Sequence, residues 1–167
     1  MASQLVTNFM RQQGFADEPA DACQMHFEGL YFQPRIVFPT ILLAILLQSA
    51  WLFLGVSAVL WWNVLLPRLN PFERVYNRFV AARRGRAPLA PAPGPRRFAQ
   101  ALAAAFNLGS GLCLLSGLTV AAWVLEALLV VAFSALFFGR FCLGAYVFHL
   151  LRGEVAFANR SLPWARG

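Results

Sequence analysis

Lysine is absent from this 167-residue chain and acid is scarce: 14 basic residues, all arginine, stand against seven Asp and Glu. The net charge of +7 is of the kind that draws proteins to nucleic acid. No soluble basic domain accompanies it, so nucleic-acid binding is not expected. Charge as a whole is thin, 13% of residues against 59% hydrophobic. A soluble domain is about one quarter charged and half apolar. Cysteine is sparse too: Cys23, Cys113 and Cys142 make an odd count without framework spacing, which argues against a disulfide scaffold. Also missing are a phosphate-binding glycine loop, a nucleophile elbow, paired carboxylates and a zinc-protease helix. Neither histidine is near a serine in sequence. No catalytic residue is assigned, no cofactor is expected, and the chain is not expected to be an enzyme. The first 35 residues are mixed and polar rather than a short basic stretch leading into an apolar one, so the first span is expected to act as the insertion signal.

What the chain has instead is two long apolar blocks, 36–66 and 98–138, each longer than the roughly 20 residues that cross a bilayer as helix. As one helix the first block would be about 45 Å long, against a hydrocarbon core of about 30 Å. Gln48 and Ser49 are its only polar residues near the middle, so two helices with a turn there are expected. Pro39 is placed in the first turn of the first helix, where proline is tolerated. In the second block Ser116, Gly117 and Thr119 mark the turn, and Gly139 and Arg140 close the last span. The expected fold is an all-α integral membrane bundle of four transmembrane helices with short interfacial helices. Its segments are an N-terminal interfacial stretch 1–35, a hairpin 36–66, a basic loop 67–97, a second hairpin 98–139 and an interfacial C-terminal stretch 140–167.

Eight arginines lie in the loop from Arg68 to Arg97, and neither turn carries one. The excess of arginine in cytoplasmic loops then puts both termini in the cytoplasm. Within this loop, residues 71–84 place Phe72, Val75, Phe79 and Val80 at helical spacing opposite Arg74, Arg78 and Arg84, with Arg83 alongside. Such a helix suits a membrane surface, and anionic headgroups are its expected partners. The proline-rich stretch 88–95 reads as a stiff linker. Near the N-terminus, Leu5, Phe9 and Met10 suggest a short amphipathic helix ended by Gly14.

From Arg96 the text runs RRFAQALAAAFNLGSGLCLL, then TVAAWVLEALL, then FCLG at 141–144. Together with Trp51 after the first turn and the basic middle loop, this resembles an uncharacterised bacterial family of small integral membrane proteins, the domain of unknown function 4395, over about residues 35–152. The resemblance implies four spans and an inner-membrane location, and no established activity. Where that family often carries a second cysteine three residues after the first, this chain has Ala145. A dithiol role for Cys142 is thereby put in question.

The remaining candidates are few. Glu126 is ionisable at membrane depth, where an unpaired charge is costly. Counting from the turn, Asn107 on the partner helix reaches a similar depth, so the two are expected to hydrogen-bond. That pair reads first as a pin for helix pairing and second as a proton or ion site. Ala101, Ala105, Gly109, Cys113 and Gly117 recur every fourth position, a stripe that lets helices approach closely. Other integral membrane proteins, or a second copy of the chain, are the expected partners. Cys23, His26, Cys142 and His149 could in principle hold zinc, but ordinary packed residues are the better expectation, and no metal is assigned. Trp51, Trp61, Trp62, Trp123 and Trp164 are read as interface anchors.

Overall fold

The computed structural model describes residues 4–15, 26–85 and 88–165. Among them every regular element is helical. Helix α1, Gln4–Gln12, is followed by the long α2, His26–Leu46, and by α3, Ala50–Leu65. The basic loop contains α4, Pro71–Tyr76. Helix α5, Gly94–Leu115, and α6, Thr119–Gly139, form the second hairpin, and α7, Leu143–Leu151, and α8, Val155–Arg160, close the chain. Three helices, α2, α5 and α6, are long and apolar enough to cross a membrane. A fourth qualifies if α3 and the helical stretch Pro67–Ala81 are taken as one bent span, with an angle of 118° at the bend.

The first apolar block is two helices. Gln48 takes a left-handed conformation (φ 45°) in the turn, and Ser49 caps α3 by accepting from the Leu52 amide. In the second block Gly117 (φ 74°) makes the turn, and the Leu118 amide bonds the Cys113 carbonyl. Left-handed Arg140 ends α6. There the Tyr31 hydroxyl donates to the Leu136 carbonyl, one of the acceptors a helix end leaves unpaired. Both turns lie at one end of the bundle, and the basic loop lies at the other. Trp51 and Trp123 mark the turn end, and Trp61 and Trp62 the basic end.

Helix α2 begins ten residues before the apolar block, and Pro39 therefore lies in its interior rather than in a first turn. Proline there removes one backbone donor. Phe27, Leu30 and Tyr31, in the early part of α2, pack on Val6, Phe9 and Met10 of α1. Helix α1 ends as expected at Gly14 (φ 96°), where the Phe15 amide bonds the Met10 carbonyl. A Cβ at Gly14 would lie 2.9 Å from that of Pro93, so this end of α1 is seated against the linker.

The tightest packing is between α3 and α5. The Ser57 hydroxyl donates to the Ala104 carbonyl at 2.8 Å, and a Cβ on Gly111 would meet Leu54 at 2.9 Å. At the other end of α5, a Cβ on Gly144 of α7 would lie 2.7 Å from the Ala99 Cα. Helix α4 is capped by Asn70, which accepts from the Phe72 and Glu73 amides. The helical path continues through one π turn, Asn77–Ala81, and a 3-10 turn, Ala82–Arg84. Its buried residues are Glu73, Tyr76 and Ala81, while Phe72 and Val80 of the apolar row are partly buried against the bundle. Val75 and Phe79 are exposed, as are Arg74, Arg78 and Arg83, so the segment presents both apolar and basic groups outward.

Candidate functional site

Two consecutive arginines open the most built-up region of the molecule. Helix α5 starts with proline in its first turn, and Arg96 and Arg97 follow on different faces. Arg97 donates through Nε and Nη2 to the Val64 carbonyl at 3.2 and 2.8 Å, placing a cation on the C-terminal end of α3. Arg96 turns inward and is only 6% exposed. Its guanidinium stands 3.9 Å from Glu73 of α4, too long for a hydrogen bond. One turn along α5 lies Gln100, 8% exposed, whose Nε2 donates to Gln33 of α2 at 2.9 Å. The Gln100 Oε1 has no partner among the described residues.

Arg96, Gln100, Gln33, Gln13 and Cys142 share the polar end of a cavity of about 250 Å³. Its other walls are apolar, contributed by α2, α5 and α6, with Val37, Phe106 and Phe133 among them. Leu128 and Val131 of α6 belong to its lining yet are exposed, so they form a rim on the outer face of the bundle. A dry apolar cavity of about 150 Å³ already accepts benzene. The space here takes a ring or several methylenes, with the rest of a longer molecule outside the rim.

Cys142 caps the start of α7. Desolvation pushes its thiol above the usual range, against the pull of the Ala145 amide, the Gln13 side chain, the Gly144 amide and the Arg96 charge. A protonated thiol is a poor nucleophile. Its own backbone amide donates to Gln12 Oε1 at 2.9 Å. The Gln12 carbonyl is in turn 3.1 Å from His149 Nε2, and His149 Nδ1 lies 2.6 Å from Glu154. That bond is the first cause holding the Glu154 carboxyl below its ordinary range. Gln12 therefore stands between Cys142 and His149, and both His149 ring nitrogens are engaged. His26 has interactions of its own, and Cys23 lies outside the described residues. Among the described residues no three His, Cys, Asp or Glu side chains are grouped to hold a metal ion.

The small-residue stripe is split by the structure. Gly109 is a real close approach, since a Cβ there would meet Leu125 of α6 at 2.9 Å. Ala101 and Cys113 are half-buried, while Ala105 and Gly117 are exposed and face no helix of this chain. The buried face of α5 is instead Gln100, Ala104, Asn107, Ser110 and Gly111. The reason is geometric: two partners, α3 and α6, flank α5 on different sides, and no single four-residue row meets both. Asn107 and Glu126 are both buried, and each has a hydrogen bond elsewhere rather than to the other. Asn107 Nδ2 donates to the Ala103 carbonyl, and Glu126 Oε2 accepts from Gln48. Among the expected lipid-facing arginines, Arg74, Arg78 and Arg83 are exposed, and the side chain of Arg84 lies outside the described residues.

Sequence reasoning missed Arg96, Gln100 and Gln48 as site residues. A signal existed for the first two: they lie four apart in RRFAQ, on one face of an apolar helix. A family model described as Domain of unknown function (DUF4395) matches residues 28–152, three-quarters of the chain. No curated protein and no solved structure matches it.

Proposed function

The chain belongs to the DUF4395 family, and we propose that it is a non-catalytic, multi-pass inner-membrane protein that holds an amphiphile with an anionic head in the cleft between α2, α5 and α6. The observation that carries this reading is Arg96. A guanidinium this deeply buried needs an acceptor, and Glu73 stands too far away to hydrogen-bond it. The unpartnered Gln100 oxygen beside it offers an acceptor for a hydroxyl on the same head. The exposed rim at Leu128 and Val131 suits a tail that stays among lipid chains. The desolvated Cys142 thiol fits a binding site better than a reactive one. Both termini and the arginine-rich loop lie on the cytoplasmic side in this reading, with Arg74, Arg78 and Arg83 toward anionic headgroups.

The test is retention. The full chain is reconstituted in nanodiscs of mixed zwitterionic and anionic phospholipid, and co-released lipid is identified by native mass spectrometry. Wild type retains anionic lipid selectively, Arg96→Gln loses that selectivity, and Arg97→Gln keeps it. Identical lipid profiles for wild type and Arg96→Gln would overturn the reading. A second reading, an accessory subunit packed on other membrane proteins, is favoured by one observation: Ala105 is a small residue on an uncovered, apolar face of α5. Bulky substitution at Ala105 that releases a co-purifying protein would support it.

A further inference from the structure

The cleft between α2, α5 and α6 is covered at its polar end and open on its apolar side. Arg96, Gln100, Gln33 and Gln13 are all buried. Phe9 of α1, Gln13 just beyond it and Gly144 at the start of α7 belong to the lining, so the short helices of the basic end shelter the head position. The rim at Leu128 and Val131 is exposed instead. On α6 both residues lie at least eight positions from either end of Thr119–Gly139, or about 12 Å along the axis. The way in that the described residues leave open is therefore at mid-depth in the hydrocarbon. From there a head reaches Arg96 past apolar walls that include Val37, Phe106 and Phe133.

Charge, shape and entry each restrict the head. Among the described residues that line the cleft, Arg96 alone is charged. Glu73, outside the lining and 3.9 Å from the guanidinium, already draws on that charge. A dianionic head would leave an excess of negative charge in a site sheltered from water, where unbalanced charge is costly. A guanidinium fork matches a carboxylate with two parallel hydrogen bonds. Gln100 Nε2 donates to Gln33, and the Gln13 side chain bonds the Cys142 thiol, which leaves the guanidinium as the main donor for a head. A phosphodiester is a bridging group with substituents on both sides, and the covered polar end gives the far side no outlet. A carboxylate is terminal. It also passes an apolar rim as the neutral acid, whereas a phosphodiester enters hydrocarbon as an ion. The cavity of about 250 Å³, against the roughly 150 Å³ that accepts benzene, suits one chain rather than two. That chain gains little on leaving lipid, since both surroundings are apolar, so the head decides what is held.

We propose that the ligand of the cleft is a single-chain carboxylic acid, a long-chain fatty acid, with its carboxylate on Arg96 and its tail leaving the bundle past Leu128 and Val131. This rests on the amphiphile reading above and narrows it to one head and one chain. An anionic phospholipid then occupies the cleft only in default of a fatty acid, and a fatty acid displaces it. Arg96 selects the head, and the rim sets how fast the ligand exchanges with the bilayer.

The experiment is competition on the full chain in nanodiscs that contain anionic phospholipid, read by native mass spectrometry. Three probes share one chain and differ in the head: oleic acid, oleoyl lysophosphatidylglycerol and oleyl alcohol. Oleic acid displaces the retained phospholipid at a concentration about tenfold or more below that of the lysophospholipid, the equivalent of one charge-assisted hydrogen bond. Oleyl alcohol displaces none. Arg96→Gln abolishes oleate retention, and Arg96→Lys, which keeps the charge and loses the fork, weakens it about tenfold. Leu128→Trp narrows the rim and slows oleate exchange, while the order of the three probes stays as in wild type. Equal displacement by oleic acid and the lysophospholipid would overturn the proposal, because the head would not be discriminated. Phospholipid retention that depends on Arg96 but resists oleic acid would overturn it too, and would leave the amphiphile reading standing. Retention of every lipid unchanged in both Arg96 variants would remove that reading and this proposal together.

Discussion

The two ends of the bundle organise polar groups in opposite ways. At the turn end, one residue of a tight turn, Gln48, reaches a carboxyl on a helix 78 positions later and accepts from Trp123 on the same helix. At the basic end, side chains and backbone from both termini converge. Asn8 donates to the Leu162 carbonyl, Gln12 takes the Cys142 amide and faces His149, and Gln33 meets Gln100. The turn end is held by close helix packing with one polar latch. The basic end is held by a network that ties α1, α7 and the C-terminal stretch to the start of α5. Damage to packing should therefore be felt throughout the bundle, whereas damage to the network should free the short helices first.

The largest effect is expected where backbone meets backbone. Gly144→Val puts a side chain where the Ala99 Cα lies 2.7 Å away, and no rotamer change relieves that. A loss of about 3 kcal/mol, the upper part of the overpacking range, is expected in detergent unfolding. A loss under about 0.5 kcal/mol would mean that α7 is not seated on α5. Next comes the split stripe. Gly109→Leu collides with Leu125 and should cost about 1–3 kcal/mol. Ala105→Leu points away from every helix of the chain and should change stability by less than about 0.5 kcal/mol. Equal costs would restore the stripe as a single packing face.

His149→Ala removes the ring that faces the Gln12 carbonyl and should leave the α2–α6 bundle intact. Hydrogen exchange should quicken in residues 4–15 while α3 and α5 stay protected, at a cost of about 1–2 kcal/mol. If α3 loosens as well, the two ends are coupled and the contrast between them fails. The smallest effect is in pH. Glu154 is depressed chiefly by its hydrogen bond to His149, so its contribution is present above the ordinary carboxylate range and is lost as pH falls through its folded value. Protection of α1 should decline below about pH 4 in wild type. Glu154→Gln should show no such decline.

What could be read from the sequence follows the same division. The turns were legible because Gln48, Ser49 and Gly117 interrupt otherwise apolar text. Gly14 was legible as a helix stop because its left-handed conformation suits glycine. The depth match of Asn107 and Glu126 followed from counting residues, but the donor to Glu126 did not, since Gln48 belongs to a turn and its reach depends on how the two hairpins sit together. The packing face of α5 was misread because alanine and glycine are so frequent there that two different rows look alike. Helices α2, α3 and α6 are apolar on every side, so periodicity cannot say which side is inward. The start of α2 was placed late because hydropathy marks the apolar block and not the helix, which runs on through polar residues.

An apolar helix among apolar neighbours has little to fix its rotation about its own axis. In α5 that task falls to two adjacent residues pointing about 100° apart: Arg97 grips the end of α3, while Arg96 is committed to the interior beside Glu73. They work as a two-pin key, since turning the helix by one position would draw one pin out as it drove the other into hydrocarbon. Inserting a single residue just after Arg97 would leave both pins seated and rotate everything beyond them, carrying Ala104 away from Ser57 and Gly111 away from Leu54. The ends of the molecule, chemically so different, would thus be set out of register by one change at the basic end.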